Sequence, residues 1–276
     1  MPSVLVTGAS RGIGRSIAEH LAAQGWDVIA GVRTQQDADA LTAVNPQHIS
    51  AVILDVTDDA DLAQLEATLP ADLDAVVNNA GIVVSGLMET LSSDEWRRQL
   101  EVNVIGALAV TRAVLPRLRR SKGRIVFISS ISGRVSAPVV GAYSASKFAL
   151  EAAADAMRME LRPWGVSVVL VEPAQTDTDL WRNADTVASE LEQALSTAHR
   201  ALYAKHIAGF RKSIPMSQRL AVAAERVAEV VEQALTVKRP HARYVVGVGP
   251  RLQVALVTHL PARLRDFALR KMYGQP

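Results

Sequence analysis

The chain has 276 residues, 49% of them hydrophobic and 21% charged, with a formal net charge of +2. That balance supplies enough apolar material for a large core and excludes a disordered chain. No nucleic-acid partner is expected from it. Cysteine is absent, which rules out disulfides, thiolate metal sites and a cysteine nucleophile together; no metal is expected, and the composition suits a cytoplasmic protein.

In chain order, MPSVLVTGASRG passes from a short apolar run straight into a glycine loop, without the basic leader of a signal peptide. SVLVTG reads as a first buried strand. TGASRGIG at 7–14 then places Gly8, Gly12 and Gly14 where backbone must approach a ligand closely, and opens a helix marked by Ile13, Ile17 and Leu21 before Gly25. Strand, glycine turn and helix start form a phosphate cradle, since the first amides of a helix are unpaired and carry positive dipole character. The second strand, DVIAGV, ends at Val32, where a strand that reads the ribose 2′-hydroxyl of NAD carries an acid. Arg33 follows and Arg11 lies in the glycine loop; two guanidinium groups suit a 2′-phosphate, so NADP(H) is expected in preference to NAD(H).

ISAVILDV, DAVVNNAG, GRIVFISS, GVSVVLVEP and ARYVVGV are the remaining predicted strands, with helical segments between most of them. About seven strands in this alternation predict an α/β fold, a doubly wound parallel sheet with helices on both faces. Ser92 and Glu95 form a capping box before a helix whose apolar stripe is read as Trp96, Leu100, Val104 and Ala107. Asn103 lies on that stripe, where an amide needs a specific partner. After GRIVFISS comes the small, apolar segment Ile131–Val140, then YSASK, in which Tyr143 and Lys147 stand one helical turn apart and so share a face. A ketone receiving hydride develops negative charge on oxygen and needs a proton donor and a second hydrogen bond. Tyr143 fits the donor. Lys147 is expected to lower its pKa by favouring the phenolate.

Residues 177–236 break the alternation with two helix-like stretches and no strand between them, an insertion placed to close over the carboxyl ends of the strands. The chain as a whole, 1–276, reads as one Rossmann-like unit with this insertion and an extension over about 250–276. Residues 238–276 hold eight Lys or Arg against only Asp266. No apolar stretch reaches the roughly 20 residues that span a bilayer. Leu264, Phe267, Ala268 and Met272 are placed on one helical face, expected to cover the substrate pocket or to dock on a partner subunit or an anionic membrane, so peripheral membrane association is also considered.

With TGASRGIG, NNAG at 78–81, Asn103, Ser130 thirteen residues before Tyr143, and YSASK in this order, the sequence resembles the classical short-chain dehydrogenases/reductases over roughly residues 3–249. Its insertion and extension are similar to the hydroxysteroid and retinol dehydrogenase branch. The resemblance implies a catalytic set of Asn103, Ser130, Tyr143 and Lys147, with Ser130 on the substrate oxygen, Asn103 holding a proton-relaying water and Lys147 on the nicotinamide ribose. It further implies that Gly8, Ser10, Arg11, Gly12, Ile13 and Gly14 meet the phosphates, Arg33 the 2′-phosphate, Asp55 and Val56 the adenine, and Asn79, Ala80 and Gly81 the adenosine side. Pro173, Thr176 and Thr178 fall to the nicotinamide. One departure is Ala174, where the family often has glycine, which puts the local loop path in question. The expected substrate is a small lipophilic carbonyl or alcohol, and the expected assembly a homodimer or homotetramer. Alternatives are an NAD-dependent small-alcohol dehydrogenase, a reductase of short β-keto substrates, and an NADP-sensing regulator.

Overall fold

Side chains along each strand leave alternately on opposite faces, and both faces of these strands are apolar. In the computed structural model, which describes residues 1–176, 184–219 and 221–276, the predicted runs become β1 (Ser3–Thr7), β2 (Asp27–Val32), β3 (Ile49–Ile53), β4 (Ala75–Asn78), β5 (Arg124–Ile128), β6 (Ser167–Glu172) and β7 (Arg243–Val245). They pair in parallel in the order 3-2-1-4-5-6-7. The order reverses at β1, which lies between β2 and β4, so a crevice opens beyond the carboxyl ends of β1 and β4.

The helices are α1 (Gly12–Ala23), α2 (Gln35–Thr42), α3 (Asp59–Thr68), α4 (Ser93–Leu100), α5 (Ala107–Ser121), α6 (Gly141–Glu160), α7 (Ala184–Ala194), α8 (Thr197–Arg219), α9 (Ala224–Thr236), α10 (Val248–His259) and α11 (Ala262–Met272). Alternation along the strands sorts them into two layers. Val4, Val6, Val28 and Ala30 meet Ile17 and Leu21 of α1 and Val227 and Val231 of α9 on one side. Leu5, Ile29, Val76 and Phe127 meet Val110 and Val114 of α5 and Leu150 of α6 on the other. Each fully buried aliphatic side chain contributes about 1.5–3 kcal/mol, so both layers hold the sheet.

A third apolar cluster joins Leu191 of α7, Leu195 just after it, Ile207, Phe210 and Ile214 of α8, and Leu87 and Val139 from the loops before α4 and α6. It sits apart from the sheet layers, over the side where α6 begins. The end of the chain is tied to it: Gly209 of α8 packs directly on Gly274, and Gln275 Nε2 donates to the His206 carbonyl at 3.3 Å.

Candidate active site

The glycine loop is built for close backbone contact. Gly8 takes a left-handed φ of 63°, and a Cβ there would lie 2.8 Å from Ala80 Cα. At Gly14 a Cβ would lie 2.2 Å from the Gly8 carbonyl oxygen and 2.4 Å from Asn79 Nδ2. Asn79 holds this arrangement, since its Nδ2 donates to the carbonyls of Thr7 and Gly8 at 3.0 Å each, while the amides of Asn79 and Ala80 donate to Thr7 Oγ1. The loops after β1 and β4 are thereby locked together. Arg11, in extended conformation, precedes α1 and leaves its first amides without a side-chain cap. These features fit a pyrophosphate.

Val32 is buried at the end of β2 and supplies no carboxylate, while Arg33 and Arg11 are exposed. Asp55 stands on the next strand's loop, its carboxyl held below the usual range by hydrogen bonds from Thr57, with the nearby Arg33 charge a lesser cause. Val56 packs on Gly106. Ser10 and Ile13 are half-buried in the loop, and Gly81 faces the Asn103 side chain.

Ser130 and Tyr143 meet on the wall of one pocket. Ser130 Oγ accepts from the Ser132 amide at 3.0 Å and donates to the Pro173 carbonyl at 3.4 Å. Ser129 does not line the pocket, and its Oγ is buried without a hydrogen-bond partner among the described residues. Lys147 is buried at 5% exposure and donates to the Ile128 carbonyl at 2.8 Å, its Nζ 5.7 Å from the centre of the Tyr143 ring. Burial pushes Lys147 down to about 8, opposed by the charge of Glu151. The expected lowering of Tyr143 by Lys147 is not the net direction. Burial raises the phenol, and the Ser130 hydroxyl bonded to it partly offsets the rise. The reason is placement, because the ammonium is drawn to a backbone carbonyl and lies beside the ring.

Asn103 is 1% exposed within a π-helical turn, Glu101–Gly106, that links α4 to α5. Its Oδ1 accepts from the Ile82 amide at 2.8 Å, and its Nδ2 donates to the Ile82 carbonyl and to Ser146 Oγ. Gln99, one turn earlier and fully buried, accepts from the Val84 amide at 2.7 Å and donates to the Ile82 carbonyl. Sequence reading missed Gln99 and chose Trp96, Leu100 and Val104 as the inward stripe, yet all three are only half-buried. The inward face is polar because it meets a loop whose backbone needs partners. A Gln four residues before an Asn was the available signal.

Pro173 begins the loop after β6, and its carbonyl also accepts from the Ile131 amide at 3.0 Å. Ala174 follows without positive φ, so the loop path does not need glycine. Thr176 is buried and bridges to Val222. Thr178 lies outside the described residues.

Around Ser130 and Tyr143 the pocket is apolar. Ile131, Val135, Pro138 and Val140 come from the segment before α6, and Phe210 from α8. Val254, Val257 and Leu269 of the last two helices, with Tyr273 just beyond them, complete the wall. The extension does cover the pocket, but with residues other than the predicted stripe. Leu264, Phe267 and Met272 point outward at 57%, 60% and 47% exposure. Val139, β-branched, is held at a φ of 71° beside the pocket while its carbonyl accepts from the Gly86 amide at 2.7 Å, a conformation that costs about 1–3 kcal/mol.

A doubly wound sheet with a glycine cradle at its switch point and a Ser–Tyr–Lys group beside it defines a nucleotide-dependent oxidoreductase. The short chain dehydrogenase family profile matches residues 2–188, and the chain belongs to that family. It is 32% identical to retinol dehydrogenase 5 of Mus musculus, an alignment that covers 99% of this chain and 89% of the relative. It is also 32% identical to an NADPH-dependent 3-dehydrocapnine reductase of Ornithobacterium rhinotracheale, covering 96% and 95%. A short chain dehydrogenase of Burkholderia cenocepacia, solved in complex with NADP, superposes with a TM-score of 0.75 at 26% identity, covering 100% of this chain and 98% of that one. The chain is therefore an NAD(P)-dependent oxidoreductase of the hydroxysteroid and retinol dehydrogenase-like branch.

Proposed function

We propose that the protein interconverts a lipophilic ketone or aldehyde and its alcohol with NADP(H), Tyr143 serving as the acid/base. The observation that carries this reading is the position of Ser130 and Tyr143 together on the wall of an otherwise apolar pocket. The glycine loop and the start of α1 would hold the pyrophosphate, Arg11 and Arg33 the 2′-phosphate, Asp55 and Val56 the adenine, and Thr176 and Lys147 the nicotinamide end. When bound, NADPH supplies the hydride.

The protein's own part is to orient the carbonyl and supply a proton. Ser130 Oγ and Tyr143 Oη present two hydroxyls to one oxygen, which stabilises charge as it develops there. A phenol kept high by burial stays protonated at neutral pH, so the donor form is populated for reduction. The Lys147 ammonium offsets the negative charge left on Tyr143 after transfer. Asn103 and Gln99 fix the Ile82–Val84 loop of the pocket rim.

Preference for NADP is supported by buried Val32 where an acid would stand, by the two exposed arginines, and by likeness to an NADPH-dependent reductase and to a dehydrogenase solved with NADP. A homo-oligomer is supported by an apolar groove along the outer sides of α5 and α6, where Ile105, Leu115, Met157 and Trp164 face solvent or line the groove. Peripheral contact with an anionic membrane is supported by the exposed apolar and basic residues of α10 and α11. Among the described residues no helix is long and apolar enough to cross a membrane.

The test is a panel of retinoid, steroid and short-chain carbonyls assayed with NADPH for the parent and Tyr143→Phe. Turnover of the lipophilic members should vanish in the variant while fluorescence titration gives the parent's NADPH affinity. Turnover surviving in Tyr143→Phe removes the assigned acid/base.

A further inference from the structure

The stripe that starts with Tyr143 and Lys147 continues along α6 as Glu151 and Asp155, four residues at one-turn spacing on one face. Glu151 is a carboxyl of the interior, 5% exposed. Its Oε2 accepts from Arg243 Nε at 2.9 Å, and the same guanidinium reaches Asp155 Oδ2 at 2.7 Å and stands 3.3 Å from Glu172 Oε1. Glu172, fully buried at the end of β6, is met from its other side by Arg134 at 3.4 Å. Asp155 is also paired with Arg158 at 2.6 Å. The charged groups around Glu151 are thus Lys147, Asp155 and Arg158 from α6, Arg243 from β7, Glu172 from β6 and Arg134 from the turn after β5.

Glu151 Oε1 is buried and has no hydrogen-bond partner among the described residues. An unpaired buried acceptor is costly, and the positive charge of Lys147, one helical turn away, is electrostatically coupled to this carboxyl. Lys147 gains from the same coupling in return, because among the described residues its ammonium bonds the Ile128 carbonyl and lies in the interior. Three carboxyls, those of Glu151, Asp155 and Glu172, share Arg243. Glu172 is raised to about 7 by burial and then by Glu151, so below that pH a proton on Glu172 leaves the guanidinium to Glu151 and Asp155.

We propose that Glu151 is a positioning residue of the site, whose carboxylate, anchored by Arg243, keeps the Lys147 side chain in its ammonium form and so available to Tyr143. The charge line runs from the edge of the sheet to the reacting phenol. Its catalytic consequence rests on the role proposed above for Tyr143, but the charge of Lys147 is measurable without substrate.

The experiment follows the lysine 13Cε resonances of selectively labelled protein against pH, with Lys147 assigned by its loss in Lys147→Met. The parent should titrate at about 8. Glu151→Gln should lower the midpoint by about 1–3 units, the range for loss of a close opposite charge, and Glu151→Asp should largely retain it. The basic limb of the NADPH-dependent rate should move with the resonance. An unchanged midpoint in folded Glu151→Gln, or equal shifts in the Gln and Asp variants, overturns the inference. If Glu151→Gln does not fold, Glu151→Met, which fills the space without an unpaired amide, gives the same reading. A shifted resonance with an unshifted rate limb supports the link between Glu151 and Lys147 and counts instead against the proposed role of Tyr143.

Discussion

Gly14 has no room for a methyl group, since its Cβ would fall 2.2 Å from the Gly8 carbonyl oxygen and 2.4 Å from Asn79 Nδ2, far inside van der Waals contact. Gly14→Ala is expected to destabilise the fold by about 1–3 kcal/mol through overpacking and to weaken NADPH binding far more than that loss of stability explains. Urea denaturation and fluorescence titration separate the two effects; full cofactor affinity in the variant contradicts the cradle. Arg33 acts differently, through charge at an exposed position. Arg33→Ala should cost NADPH binding about 1.5–3 kcal/mol and leave NADH binding nearly unchanged, a shift in preference of roughly tenfold or more. Equal losses for both cofactors would show that Arg33 does not read a 2′-phosphate. At this scale the sequence was most informative where a residue's own limits decide its use: glycines in a turn, a phenol and an ammonium one turn apart. It misjudged Tyr143's electrostatic setting, predicting a phenol lowered by Lys147 where burial raises it. That depends on how deeply the phenol is buried and on which carbonyl draws the lysine, and neither leaves a trace in spacing.

The elements were legible where apolar periodicity is strong and less so where a helix has two faces to satisfy. All seven strands followed from their apolar runs, because a strand buried on both sides can carry nothing else. On α4 and its π-helical continuation, periodicity pointed to the wrong stripe. Gln99 and Asn103 turn inward to serve backbone groups of the Ile82–Val84 loop, a need that no local pattern reveals. The last two helices are apolar on both sides. Val254, Val257 and Leu269 face the pocket, while Val248, Leu252 and Leu256 form an outward stripe on α10 and Leu264 and Phe267 another on α11. Removal of residues 248–276 should therefore raise KM for bulky lipophilic carbonyls with NADPH affinity retained. The outward stripes lie among Arg251, Arg263, Arg270 and Lys271, and each basic residue near an anionic surface adds about 1 kcal/mol. Leu252→Glu combined with Phe267→Glu should abolish co-sedimentation with phosphatidylserine vesicles and spare turnover of a water-soluble substrate. If parent and variant sediment alike, the outer face has no membrane role.

For the molecule as a whole, the feature least visible in the sequence is the ionic cluster that ties β6, β7 and α6 together, since Glu151 and Arg243 stand 92 positions apart. It gives stability a pH dependence of calculable sign. Glu172 is held up to about 7, above its ordinary carboxylate value of 4.5, so the folded state binds a proton that the unfolded chain releases. Its contribution is fully present below about pH 4.5 and is lost as pH rises through about 7, a span worth at most about 3 kcal/mol at 1.36 kcal/mol per unit. Lys147, lowered to about 8, acts outside that window, since a depressed ammonium returns stability only as pH climbs from about 8 toward its ordinary 10.5. Asp55, Glu95 and Asp155 are held low and titrate below it. The melting temperature of the parent should accordingly fall between pH 5 and 7.5 by several degrees, as about 2–3 kcal/mol implies for a chain of this size. Glu172→Gln keeps the shape and an oxygen acceptor for Arg134 and Arg243 but cannot ionise. Its melting temperature should stay flat across the same interval and exceed the parent's at pH 7.5. Parallel curves for parent and variant would place the titration elsewhere and leave the cluster a set of ordinary ion pairs.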